Sequence, residues 1–288
     1  MRLVITQSTA RIAILRARLA ERGHDSLLLP FSTITDSPSA PDPASLRAAI
    51  AAHDRVVPVS PTAVERMLAA CTDAGSGRRD WPPATRLAVV GPGSLRALAA
   101  DLPPPVLAGV IRPASAPFDA DHLIDEPALR DCAGLRVLVL RGETGSDRWI
   151  DTLRRRGALV TVLSLYRNVP LEPGDAGRES LRAWLARAPA DGVTDGAADG
   201  GLDGVPAGGP DEVPDGIPDV CWLFNQTAIA VRCCAWLRAT GQSSLADRHR
   251  ALAIHPRIAQ ALSGQGWRQV SLIEPGEASL LAAIESSG

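Results

Sequence analysis

Two stretches of this chain spell out the same pattern. Arg2-Leu3-Val4-Ile5, then Leu19-Ala20-Glu21-Arg22-Gly23, then Leu27-Leu28-Leu29 read as strand, helix, glycine stop and strand. Arg136-Val137-Leu138-Val139, Leu153-Arg154-Arg155-Arg156-Gly157 and Val160-Thr161-Val162-Leu163 repeat it without a gap. Arg2 and Arg136, Leu19 and Leu153, Gly23 and Gly157 are each 134 residues apart. Glycine after the last helical turn is the expected C-terminal stop, and self-similarity of this kind decides the fold before any single residue does.

Two more elements recur at a longer spacing. Val56-Val57-Pro58-Val59-Ser60-Pro61-Thr62-Ala63-Val64 matches Cys221-Trp222-Leu223-Phe224-Asn225-Gln226-Thr227-Ala228-Ile229, and Leu87-Ala88-Val89 matches Leu252-Ala253-Ile254, both 165 apart. The spacing has grown by 31 (165 − 134), and the source is a segment over 190–218 made mostly of Asp, Gly, Ala and Pro with few large side chains. Such composition cannot bury enough surface to offset its ordering entropy, so a disordered insert with no catalytic part is expected there. Strands alternating with helices across short turns imply parallel sheets covered on both faces. The chain is therefore expected to form two similar parallel-sheet α/β domains with a cleft between them.

Composition narrows the chemistry. Hydrophobic residues make up 45% of the 288 and aromatics only 3%, so the cores must be built from Leu, Val, Ile and Ala. A net charge of −2 gives no broad basic face for a nucleic acid. All 30 basic side chains are Arg; without Lys there is no Schiff base, no pyridoxal-phosphate attachment and no Lys-dependent phosphate loop. The cysteines, Cys71, Cys132, Cys221, Cys233 and Cys234, are odd in number with no Cys-x-x-Cys, which reads as free thiols in a reducing cytoplasm. The five histidines lack ligand spacing, so no metal is expected. Met1 leads directly into Arg2–Ile5, expected as a first strand and not a leader, and no apolar run is long enough to cross a bilayer.

In an open parallel sheet, ligands bind beyond the carboxyl ends of the strands. The candidate turns are Thr6-Gln7-Ser8-Thr9, Ser60-Pro61-Thr62, Gly91-Pro92-Gly93-Ser94, Arg141-Gly142-Glu143-Thr144-Gly145, Asn225-Gln226-Thr227 and His255-Pro256-Arg257. Ser60-Pro61 has the form of a helix N-cap followed by proline at the first helical position. Small residues in the other turns leave helix N-terminal N–H groups open to carboxylate or phosphate. Small polar residues also begin helices in every α/β protein, so the weight lies in the set of turns.

These motifs, in this order, resemble the uroporphyrinogen-III synthase family. Val57 to Val64 is similar to the family's V-x-x-T/S-S-P-x-A-V element, and Ala88 to Leu98 to its A-V-G-x-x-T/S-x-x-A-L element. Val137 to Gly142, Leu153, Arg156-Gly157-Ala158 and Leu165-Tyr166-Arg167 look like its R-G-x-x-G … L-x-x-x-G-A-x-V … Y-R signature, and Glu277-Ala278-Ser279-Leu280-Leu281 resembles its C-terminal helix. The resemblance implies one domain from 1–34 plus 170–288, a second from 37–166, and a two-segment hinge at 35–36 and 167–169.

It also implies the reaction: ring closure of hydroxymethylbilane to uroporphyrinogen III, with inversion of the last pyrrole ring and loss of water. That chemistry needs no cofactor and rests on positioning and fixed dipoles. The implied partners are this small substrate and a transient hand-over from hydroxymethylbilane synthase, for a cytoplasmic monomer that binds neither nucleic acid nor membrane. Tyr166, the chain's one tyrosine, matches the family's Tyr; a protonated phenol can help the substrate's hydroxyl leave, without being essential. Thr6, Ser60, Pro61, Thr62, Gly91, Ser94, Arg141, Gly142, Gly145, Thr227 and Arg257 are the candidate substrate contacts, the arginines as bidentate carboxylate partners. The sequence departs from the family pattern at Gln7, where many members have Arg, at Ala120-Asp121, at Asn225-Gln226 and at His255 to Ile258. A non-catalytic relative that binds a tetrapyrrole or small anion is the alternative; an exported sugar- or amino-acid-binding protein and a dinucleotide enzyme are further rivals, the last without its glycine fingerprint.

Overall fold

The computed structural model describes residues 1–7, 12–72, 81–115, 118–187 and 220–286; the 190–218 segment and the Ser8-Thr9 half of the first turn lie outside them. The chain begins β1 (Arg2–Ile5), α1 (Ile12–Glu21), β2 (Asp25–Leu28), β3 (Ser32–Asp36), α2 (Pro43–Ala51), β4 (Arg55–Pro58), α3 (Pro61–Ala70), β5 (Arg86–Leu87) and α4 (Pro92–Ala99). Three short helices follow, α5 (Pro104–Ala108), α6 (Ala120–Leu123) and α7 (Pro127–Arg130), then β6 (Arg136–Gly142), α8 (Arg148–Arg155), β7 (Leu159–Pro170) and α9 (Gly174–Ala186). The last part is β8 (Val220–Phe224), α10 (Thr227–Ala239), α11 (Leu245–Arg248), β9 (Arg250–Ala253), α12 (Pro256–Gly264), β10 (Gln269–Leu272) and α13 (Glu277–Glu285). None of these helices is long and apolar enough to cross a membrane.

The chain divides into two compact units, Met1–Thr33 with Val169–Gly288, and Ile34–Asn168. The first holds a sheet in the order β10-β9-β8-β1-β2, the second a sheet in the order β3-β7-β6-β4-β5. Every pairing in the first sheet is parallel, as are β7-β6-β4-β5 in the second. The segments expected as connections, 35–36 and 167–169, lie within β3 and β7, which neighbour each other in the second sheet.

The repeat is visible in this topology. β1 and β2 correspond to β6 and β7, and β8 and β9 to β4 and β5, so β2-β1-β8-β9 and β7-β6-β4-β5 are the same order. Arg2 pairs with Asp25 as Arg136 pairs with Leu159, both partners shifted by 134. The helix stops repeat too. His24 N–H donates to Leu19 O at 2.9 Å and Gly23 N–H to Ala20 O at 2.9 Å; Ala158 donates to Leu153 O at 3.1 Å and Gly157 to Arg154 O at 2.9 Å. Both glycines are left-handed, with φ of 73° and 89°, which is the closing conformation this double hydrogen bond needs.

Alternation along the strands sends side chains to opposite faces. In the first unit Leu3, Ile5 and Cys221 pack with Leu19 of α1 and Leu280, Leu281 and Ile284 of α13. Val4, Trp222 and Phe224 pack on the other face with Leu181 and Trp184 of α9, Ile229 and Cys233 of α10, and Leu262 of α12. This core is rich in aromatics, contrary to the aliphatic cores expected from composition, because the few aromatics gather here. In the second unit Val137 and Val139 face Ile150 and Leu153 of α8, while Leu138 and Leu140 face Val64, Met67 and Leu68 of α3. Adjacent strands β1 and β8 thus feed helices on opposite faces, and so do β6 and β4. A crevice opens at the carboxyl ends of such a strand pair, which is where open α/β sheets hold ligands.

Candidate functional site

Each unit has one such point, and the expected site residues fall around both. In the second unit Ser60 follows β4 and caps α3: its Oγ accepts the Ala63 N–H at 3.1 Å, with Pro61 in the first turn. Thr62 is half-buried beside it. Gly91 stands at the start of α4, where no side chain caps the helix and Ser94 is buried in the first turn. A Cβ on Gly91 would lie 3.2 Å from Phe118 Cβ, so the small residue lets the half-exposed Phe118 cover this end of the helix.

The end of β6 is tighter than the sequence suggested. Arg141, expected to present its guanidinium to a carboxylate, is buried; it donates to Gly142 O at 3.1 Å and pairs with Asp147. A Cβ on Gly145 would sit 2.9 Å from Arg141 Nη2, so the 142–147 turn wraps this side chain. The Glu143 N–H, expected to be open, donates to Tyr166 O at 2.9 Å, and the Glu143 carboxylate accepts from Ser37 Oγ at 2.7 Å.

Tyr166 comes from β7 and lies against the same strand ends. Its hydroxyl is 2.9 Å from Ser60 Oγ. A Cβ on Gly142 would meet the ring at 2.9 Å from Cε2, so glycine is what lets the phenol lie there. The Arg66 guanidinium stands 5.8 Å from the ring centroid, held by Asp36 at 2.6 Å and by Leu165 O at 3.3 Å. Sequence spacing gave no sign of Arg66 or Asp36, because only the folding of α3 against β7 brings them together.

In the first unit Thr6 is fully buried and its Oγ1 donates to Leu223 O at 2.6 Å, which uses the hydroxyl to join β1 to β8. Gln7 is buried and its Oε1 accepts from Asn225 Nδ2, while Asn225 Oδ1 is buried with no partner among the described residues. Two departures from the family pattern, 218 residues apart, are thus in direct contact. Thr227 begins α10, where the Gln226 side chain makes no cap bond to the helix. Arg257 is exposed in the first turn of α12, and its N–H donates to His255 Nδ1 at 3.1 Å, so histidine supplies the cap there. Among the described residues no group of His, Cys, Asp and Glu has the makings of a metal site, and the five cysteines are buried and form no disulfide.

A family model described as uroporphyrinogen-III synthase HemD matches residues 14–195, more than half of the chain. The chain belongs to the uroporphyrinogen-III synthase family. A uroporphyrinogen-III synthase of Escherichia coli K12 is 38% identical over 68 residues, 24% of this chain and 27% of its own length, so the matched stretch spans about a quarter of that relative. The crystal structure of a mutant uroporphyrinogen III synthase from the extremely thermophilic bacterium Thermus thermophilus matches with a TM-score of 0.51 at 18% identity, over 100% of this chain and 98% of that one. At that identity the likeness speaks for the fold: two parallel-rich α/β sheets. Ser60, Gly91, Arg141, Gly142 and Tyr166 lie inside the residues matched by the uroporphyrinogen-III synthase family; Thr6, Thr227 and Arg257 lie outside them.

Proposed function

We propose that this protein closes hydroxymethylbilane into uroporphyrinogen III, inverting the last pyrrole ring and releasing water. The family match over 14–195, which contains Tyr166 and the strand ends around it, carries the reading. The substrate is a flexible polycarboxylate, and the residue inventory suits it: the N-cap residues of α4 and α10 make no side-chain cap bond, and helix N-termini favour carboxylates. Gly91, Ser94, Thr62, Thr227 and Arg257 are the contacts we assign to carboxylates. Thr6, Arg141, Gly142 and Gly145 shape the strand ends that present them, since their polar or backbone groups are engaged within the protein. The chemical demand is modest: fold the chain so that its ends meet, and assist departure of one hydroxyl. The reading makes the protein a cyclising hydro-lyase of the cytoplasm, acting as a monomer on a substrate handed over by hydroxymethylbilane synthase. Hydroxymethylbilane generated enzymatically in its presence should give type III uroporphyrin after oxidation; a product that is type I throughout would end this reading.

A further inference from the structure

The Ser60–Tyr166 contact assigns Ser60 a role other than touching substrate. Ser60 Oγ already accepts the Ala63 N–H at 3.1 Å as the cap of α3, and its remaining contact is the phenol oxygen at 2.9 Å. A hydroxyl has one proton and two lone pairs. With one lone pair given to Ala63, Ser60 can donate its proton to Tyr166, and in that arrangement the phenol's own proton points away from Ser60. Two further neighbours flank the phenol: Gly142 lies beneath its ring, and the Arg66 guanidinium is 5.8 Å from its centroid, anchored on Asp36. The arrangement exists in one unit alone. The residues at the same places in the repeat are Ser32 (166 − 134) and Asn225 (60 + 165), with no phenol between them.

We propose that Ser60 is the positioning residue for Tyr166, orienting the phenol proton outward and holding the phenolate once that proton has left, with Arg66 as the neighbouring positive charge. The proposal rests on the reading of the protein as a uroporphyrinogen-III synthase. In the step it describes, the Tyr166 proton passes to the oxygen of the substrate's hydroxymethyl group. The C–O bond breaks with its electron pair on oxygen, water departs, and the methylene carbon becomes the electron-poor end of an azafulvenium. The phenolate accepts the Ser60 O–H and faces the Arg66 charge. The proton lost when the ring aromatises after C–C bond formation returns the phenol to its starting state.

The test is a double-mutant cycle of Ser60→Ala and Tyr166→Phe, reading kcat and KM for type III formation. We expect Ser60→Ala to lower kcat about tenfold or more with KM little changed, Tyr166→Phe to lower kcat at least as much, and the double variant to be no worse than Tyr166→Phe alone. Ser60→Thr, which keeps the hydroxyl, should restore most of the rate. Because Ser60→Ala also removes a helix cap, Ser60→Gly is measured beside it; glycine is itself accepted at that position, so a folded, slow Ser60→Gly separates the rate effect from folding. A Ser60→Gly or Ser60→Ala effect that is undiminished in the Tyr166→Phe background, or that falls on KM alone, overturns the proposal while leaving the function standing. Type I product from the wild type overturns both.

Discussion

A Cβ on Gly142 would lie 2.9 Å from Tyr166 Cε2 and 3.0 Å from Cζ, closer than a Cβ packs against a ring carbon. Gly142→Ala should therefore displace the phenol from Ser60. The expected outcome is a fall in kcat close to that of Tyr166→Phe with the melting temperature little changed, since the ring is half-buried and can move. A variant with full activity would show that the ring's place is immaterial. His249 offers a test by pH. It is buried, its Nδ1 accepts from Trp222 Nε1 at 3.0 Å, and burial, with Arg248 and Arg2 nearby, lowers its pKa to about 4. The unfolded chain binds a proton near the ordinary value of 6.5 and the folded chain does not, so this contribution is present above about 6.5 and is lost as pH falls toward about 4. Urea unfolding at pH 7 and pH 5 should show lower stability at pH 5, approaching roughly 3 kcal/mol at the acid end. His249→Asn should flatten the slope; an identical slope would place its cause elsewhere. Ser60 as a cap, the two glycine stops and the single tyrosine were legible in the sequence because each is a local rule. The Arg141–Asp147 pair, the Arg66–Tyr166 approach and the Gln7–Asn225 contact were not, since each depends on where a strand end lands beside another element.

At the scale of elements, α9 is held by a residue at the far end of the chain. Arg2, buried at the start of β1, donates to the carbonyls of Leu185 at 3.2 Å and Arg187 at 3.3 Å and to Trp184 O, and its guanidinium stacks 4.0 Å from the Trp184 ring. The last carbonyls of a helix lack partners of their own, and a buried cation suits them. Arg2→Leu should destabilise the protein by about 2–3 kcal/mol, read as a lower urea midpoint, with protease cleavage after α9 increased; an unchanged midpoint would mean that α9 ends securely without it. The repeat foretold which elements pair, because strand, helix and glycine stop recur at fixed spacing. It could not foretell the edges: β10 and β3 flank the repeated strands on opposite sides of the common order and have no counterpart in it.

At the scale of the molecule, residues 34–168 are one continuous stretch with a sheet and two cores of their own. The segment 31–171 expressed alone should fold cooperatively, with dispersed amide resonances and a single unfolding transition; a collapsed state without fixed side-chain signals would contradict that. Removing residues 191–216, which the repeat does not include, should leave turnover intact. The fold and the family were legible from the repeat and its turns, whereas the hydrogen-bond partners of the turn residues were not. The measurement that bears most directly on the account is the isomer ratio of uroporphyrin formed from hydroxymethylbilane as this protein is titrated in. The type III fraction should rise with protein concentration until it replaces type I, the product of uncatalysed closure. Type I product at every concentration, from a chain shown to be folded by circular dichroism, would contradict it.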